Sequence, residues 1–185
     1  MRPLARWFSS LGGLLMPQQM NYKQSGYYRE VARWSGSVSP SGQSISFPTH
    51  KYLKVEVHSI QNTNQTTQQV LRMQFNGRTG ASDYSRQYTR WTATGVANAL
   101  NNDTNSVIVA VTQSQNSQGY CSMDINGRNN YGWNKIMWTL YSDSPDWSYG
   151  FGSMTIKTSN NLNSLNLYSE GAATYGVEVI VCGKE

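Results

Sequence analysis

From Tyr52 onward, apolar residues recur at alternate positions. Leu53, Val55 and Val57; Leu71, Met73 and Phe75; Val107, Val109 and Val111; Cys121, Met123 and Ile125; Ile136, Trp138 and Leu140; and Val177, Val179 and Val181 all follow this period. Successive side chains of an extended chain point to opposite faces, so each set makes one face of a strand. Weaker runs near Ile45, Met154 to Ile156 and Leu165 to Leu167 bring the expectation to about eight or nine strands. The one stretch after residue 51 that reads as a helix is Val96 to Leu100. Asn62-Thr63-Asn64, Asn101-Asn102-Asp103, Asn126-Gly127, Ser144-Pro145 and Asn160-Asn161 supply turn residues between the runs. Short strands spaced in this way predict an all-β fold, an antiparallel β-sandwich, jelly-roll-like, with an extended N-terminal arm.

The chain has 185 residues, enough for one hydrophobic core plus an appendage. Only 14% of the residues are charged, against about 25% in ordinary soluble domains, so Asn, Gln, Ser, Thr, Gly and Tyr must carry solubility. Such a surface suits a fibre-like, decoration or lectin-like protein. The net charge of +5 is concentrated at the start. Arg2, Arg6, Lys23, Arg29 and Arg33 face Glu30 alone within residues 1–33, while residues 34–185 hold ten basic and nine acidic residues. A nucleic-acid-binding domain clusters its basic residues on one face, and the β region has no such cluster, which argues against nucleic acid as its partner.

The sequence divides into an N-terminal anchoring arm (1–34), a linker (35–48) and a β-sandwich domain (49–185). Leu4, Trp7, Phe8, Leu11 and Leu15 lie at helical spacing and form an apolar stripe interrupted by Gly12-Gly13. With Arg2 and Arg6, these residues are candidates for anchoring onto a partner subunit; the alternative is an arm folded back on its own sandwich. Met16-Pro17-Gln18-Gln19 stands where a signal peptide would carry small residues, which argues against export. The stripe is also far shorter than the roughly 20 apolar residues of a membrane helix. The linker, SGSVSPSGQSISFP, mixes Ser and Gly with two prolines.

Signals for catalysis are weak. His50 and His58 have no Cys, His or carboxylate at ligand spacing, so neither metal nor cofactor is expected. Cys121 and Cys182 fit no metal motif and read as buried free thiols, with a single inter-strand disulfide as the alternative. Asp143 and Asp146 flank Ser144-Pro145 closely enough to sit together, yet aspartates at such turns more often cap backbone amides than cleave glycosidic bonds. The stretch Asp146-Trp147-Ser148-Tyr149-Gly150-Phe151-Gly152-Ser153 is the best candidate for recognition. Its aromatic residues recur at every second position between glycines, a spacing that fits a stacking surface for sugar, a subunit contact, or one core face of a strand.

Residues 75–88, FNGRTGASDYSRQY, are similar to the "FNGDTG…Y…Y" segment of small β-rich phage structural proteins found on heads, collars and fibres. The run Leu165 to Val179 resembles the ending of the same family, in which an apolar strand and a short loop lead into an aromatic-Gly-aliphatic strand. The two segments bracket residues 52–182. Two departures stand out: Arg78 occupies a place where an acidic residue is usual, and the chain continues past Tyr175-Gly176 into VEVIVCGKE, which implies an extra or longer last strand. The resemblance implies a non-enzymatic virion component, a head decoration, collar or tail fibre protein bound to other virion proteins and assembled as a homotrimer. A carbohydrate-binding host-attachment protein is the alternative.

Overall fold

The computed structural model describes residues 27–184 apart from 66, 93, 127–133, 144–148, 159 and 160, together with the backbone but not the side chains of 99–103. Twelve strands make up the described chain: β1 (Arg29–Val38), β2 (Gln43–Ser46), β3 (Tyr52–Gln61), β4 (Gln69–Phe75), β5 (Tyr84–Thr92), β6 (Gly95–Thr104), β7 (Val107–Thr112), β8 (Gln118–Asn126), β9 (Asn134–Ser142), β10 (Tyr149–Ile156), β11 (Ser164–Glu170) and β12 (Tyr175–Lys184). They form an eight-stranded sheet in the order β1-β12-β3-β8-β9-β10-β5-β6 and a four-stranded sheet in the order β2-β11-β4-β7. All pairings are antiparallel, so the fold is an all-β sandwich. Four of the pairings are nested: β1 with β12, β2 with β11, β3 with β8, and β4 with β7. The chain thus runs as a long antiparallel ribbon rolled on itself. The β5–β6 and β9–β10 hairpins are insertions that widen the larger sheet on one side.

The alternation seen in the sequence sets the core. Leu53, Val55 and Val57 of β3, Cys121, Met123 and Ile125 of β8, and Val177, Val179 and Val181 of β12 point inward from the large sheet. Leu71, Met73 and Phe75 of β4, with Leu165 and Leu167 of β11, meet them from the small one. Burying an aliphatic side chain of this size is worth about 1.5–3 kcal/mol relative to leaving it in water. All six residues of β7 are buried although β7 is an edge strand of its sheet. Strands β8 and β9 pack against it, and the Val111 amide donates to Ser142 Oγ at 3.0 Å, so a side chain satisfies a backbone donor on that open edge.

Several expectations need correction. Arg29–Val38 form β1 along the whole of β12, so the last residues of the expected arm and the first of the expected linker belong to the sheet. Residues 1–26, including the anchoring candidates Arg2, Leu4, Arg6, Trp7, Phe8 and Leu11, lie outside the described residues. Val96 to Leu100 is strand rather than helix, and Asn101-Asn102-Asp103 continues that strand instead of turning. Tertiary pairing with β5 overrides the weak local preference there. Cys121 is fully buried, but Cys182 points to the opposite face of the large sheet and is only half-buried; both are free thiols. The final strand is long, ten residues ending at Lys184.

Candidate functional site

The segment FNGRTGASDY is a latch. Asn76 and Gly77 both have positive φ, 49° and 64°, and the Arg78 amide donates to Phe75 O at 2.9 Å, closing a tight turn. Asn76 then uses its whole side chain. Its Oδ1 accepts from the Asn163 and Ser164 amides at 3.0 and 3.2 Å, and its Nδ2 donates to Asn161 O at 2.8 Å, tying the β4 end to the entrance of β11. Asp83 Oδ2 accepts from the Gly80 amide at 2.7 Å and fixes the second half of the loop. Tyr84 is fully buried, and its hydroxyl accepts from the Phe75 amide at 2.7 Å and donates to Arg78 O at 3.3 Å. Burial, more than any neighbouring charge, pushes the Tyr84 phenol well above its usual range. Arg78 pairs with Asp83 at 3.1 Å and donates to Lys157 O at 2.9 Å, so an arginine here is a structural cross-link to the end of β10. Asn76, Arg78, Asp83 and Tyr84 thus use their side chains to join β4, β5, β10 and β11, which makes the motif a determinant of fold.

The outer face of the large sheet has a different character. Cross-strand register places Glu178, His58, Tyr120, Tyr141, Tyr149, Trp91 and Val96 in one row running from β12 to β6. Residues opposite each other on adjacent strands share a face and touch. His58 lies against Tyr120 with ring centroids 4.7 Å apart, and Trp91 contacts Tyr149 at 5.3 Å and Phe151 at 5.6 Å. Tyr141 is 54% exposed and Tyr149 and Phe151 each 43%, values too high for a core. The next row brings Ser122, Thr139, Phe151 and Thr89 together, and the one after it Asp124, Met137, Ser153 and Gln87. Between these rows lies a shallow hollow of about 230 Å³ lined by Ser122, Asp124, Met137, Thr139, Tyr149 and Phe151.

Charge is divided along the same face. Arg33 with Glu30 and Glu178, and Lys54 with Glu56, pair on the β1-β12-β3 side. On the outward positions of β8, β9, β10, β5 and β6 the charged residues are Asp124 and Lys135, among the described side chains.

Packing beneath the aromatic face explains its orientation. Gly152 of β10 points inward between Trp138 of β9 and Tyr88 of β5, its register partners, and these two rings close over it with centroids 6.2 Å apart. A Cβ at Gly152 would lie 2.3 Å from Gln87 O and 2.8 Å from Tyr88 Cβ. Gly150, Gly152, Met154 and Ile156 are thus the buried side of β10, which forces Tyr149 and Phe151 outward.

The sequence candidates therefore separate. Tyr149 and Phe151 lie on the exposed face of a strand, and Trp147 and Asp146 lie outside the described residues. Asp143 is exposed, and its amide donates to Gln118 O at 2.9 Å. His58 is an exposed member of the aromatic row, whereas His50 sits against Gly183. No group of three or more His, Cys, Asp or Glu side chains among the described residues could hold a metal ion. Trp91, Tyr141, Met137 and Thr139 join the face without having been singled out in the sequence. Strand pairing brings them together from positions 50 residues apart, and the signal that could have found Trp91 is its parity with Thr89 and Gln87, opposite to that of buried Tyr84. No family model, curated protein or solved structure matches the chain.

Proposed function

We propose that this chain is a non-enzymatic structural protein of a bacteriophage virion, a head decoration, collar or tail fibre component that joins other virion proteins through its N-terminal segment and assembles as a homotrimer. The observation that carries this reading is the nested pairing of β1 with β12, β2 with β11, β3 with β8 and β4 with β7. We read this nesting as that of a jelly roll, a sandwich common to viral capsid and lectin domains. The low-charge surface and the latch made by the phage-like segment FNGRTGASDY support the same reading. Because β1 begins at Arg29, the test deletes residues 1–26 and leaves the sandwich whole. The truncated protein is expected to fold and to be missing from particles assembled in its presence. Incorporation of the truncated protein at the full-length level would refute attachment through this segment.

A second reading, a host-attachment protein that binds carbohydrate, is favoured by the exposed rings of Trp91, Tyr141, Tyr149 and Phe151 on the outer sheet face. One protein can serve both roles.

A further inference from the structure

We propose that the hollow on the outer face of the large sheet, between Tyr149, Phe151, Met137 and Thr139, binds a neutral polysaccharide by stacking. The inference rests on the host-attachment reading and moves its site from the β9–β10 connection to the face of β8, β9 and β10.

The chemistry of the lining selects the ligand. Tyr149 and Phe151 present two ring surfaces beside hydroxyl-bearing positions, Ser122 on β8 and Thr139 on β9, and the exposed Met137 provides a deformable apolar wall. A sugar ring has an apolar C–H face and an equatorial belt of hydroxyls, so it needs a flat aromatic surface beside small polar groups. Asp124 is the one charged group in the lining and is a pure acceptor when ionised, suited to two adjacent sugar hydroxyls. No cation lines the hollow, and Lys54, opposite Asp124 on β3, is paired with Glu56, so an acidic glycan or phosphate would meet the Asp124 carboxylate with no free cation in the lining. The row Tyr120, Tyr141, Tyr149 and Trp91 extends past the hollow across four strands. Adjacent strands lie about 4.8 Å apart, close to the rise of one sugar unit, so the row can follow a chain rather than a single residue.

The full-length protein is titrated by calorimetry with hexasaccharides of glucose and of N-acetylglucosamine and with a panel of neutral bacterial polysaccharides. Binding of at least one probe is expected, weakened about tenfold or more by Phe151→Ala and by Thr139→Lys, which places a long charged side chain over the hollow. Asp124→Asn should weaken it as well; Asp124→Asn and Thr139→Lys should melt with the parent because their side chains are exposed, and they separate lost binding from the lost Trp91 contact of Phe151→Ala. Binding that the three variants leave unchanged would overturn the site. Absence of heat from every probe up to about 10 mM would overturn the ligand class. If Phe151→Ala instead turned an oligomer into a monomer in sedimentation, the face would be a subunit contact and the proposal would fail. Incorporation into particles is scored separately and stands or falls without this result.

Discussion

The hydroxyl of Tyr84 offers a sharp test of how the fold is held, because one atom joins two strands and a loop. The β4–β7 ladder ends at Met73, so the Phe75 amide takes its acceptor from the phenol at 2.7 Å. In Tyr84→Phe the ring still fills its fully buried site, and the loss is confined to hydrogen bonding. An amide left buried without an acceptor costs about 1–3 kcal/mol. The Arg78 carbonyl, bonded at 3.3 Å, sits in a half-exposed loop where water can replace the phenol, adding about 0.5 kcal/mol or less. The sum, about 2 kcal/mol, corresponds to a fall in Tm of roughly 4–8 °C for a domain of this size. Tyr175→Phe is the internal control. Its hydroxyl bonds Thr112 Oγ1 at 2.8 Å, but Thr112 keeps Gln61 Oε1 at 2.5 Å, so that change should cost about 1 kcal/mol or less. Urea denaturation with unchanged slope separates the two. A Tyr84→Phe midpoint equal to the parent's, or above that of Tyr175→Phe, would refute the assignment of the phenol as the acceptor for Phe75.

Asn76→Gly keeps the positive φ of the turn but removes the three side-chain bonds to residues 161–164; it should destabilise the protein by about 1–3 kcal/mol, read by the same denaturation, and a neutral result would mean that the loop is held elsewhere. Gly152→Ala drives a Cβ into Gln87 O and Tyr88 Cβ, so a loss of about 1–3 kcal/mol and a weakened Tyr88–Trp138 contact in near-ultraviolet circular dichroism are expected. Burial raises Cys121 above its ordinary 9.0 and raises Tyr175 from 10.0 to about 12. Both groups hold their protons more tightly when folded, so their contribution is complete below pH 9, falls first as Cys121 would ionise in the unfolded chain, and is lost by Tyr175 between pH 10 and 12. Each group removes about 1.4 kcal/mol per pH unit within its window, and a melting temperature flat from pH 8 to about 11 would contradict this.

The sandwich was legible in the sequence because its central strands bury one face each, and period two is then unavoidable. Strands β1 and β5 escaped for a shared reason. In β1 the inward positions are Ala32, Trp34 and Gly36 among serines, which resembles a linker, and in β5 they include Arg86, Tyr88 and Arg90, which do not read as apolar. Burial pushes the Arg86 pKa down, the mark of a charge partly enclosed by its surroundings rather than of a hydrophobic strand face. The aromatic stretch shows a subtler limit. Alternation of Tyr149 and Phe151 announces a strand but not which side faces water. The deciding signal was present two residues later: Met154 and Ile156 are in phase with Gly150 and Gly152 and out of phase with the rings, so the glycine side had to be the core side. The row itself could not be read, since its members come from β8, β9, β10 and β5 and meet only through register.

The central claim is that the protein belongs to a phage particle, and quantitative mass spectrometry of gradient-purified, infectious particles tests it most directly. The account predicts the chain at a fixed stoichiometry, a multiple of three per particle, co-sedimenting with the major capsid protein after high-salt washing. Its presence only in the soluble fraction of the lysate, with none in the washed particles, would contradict it.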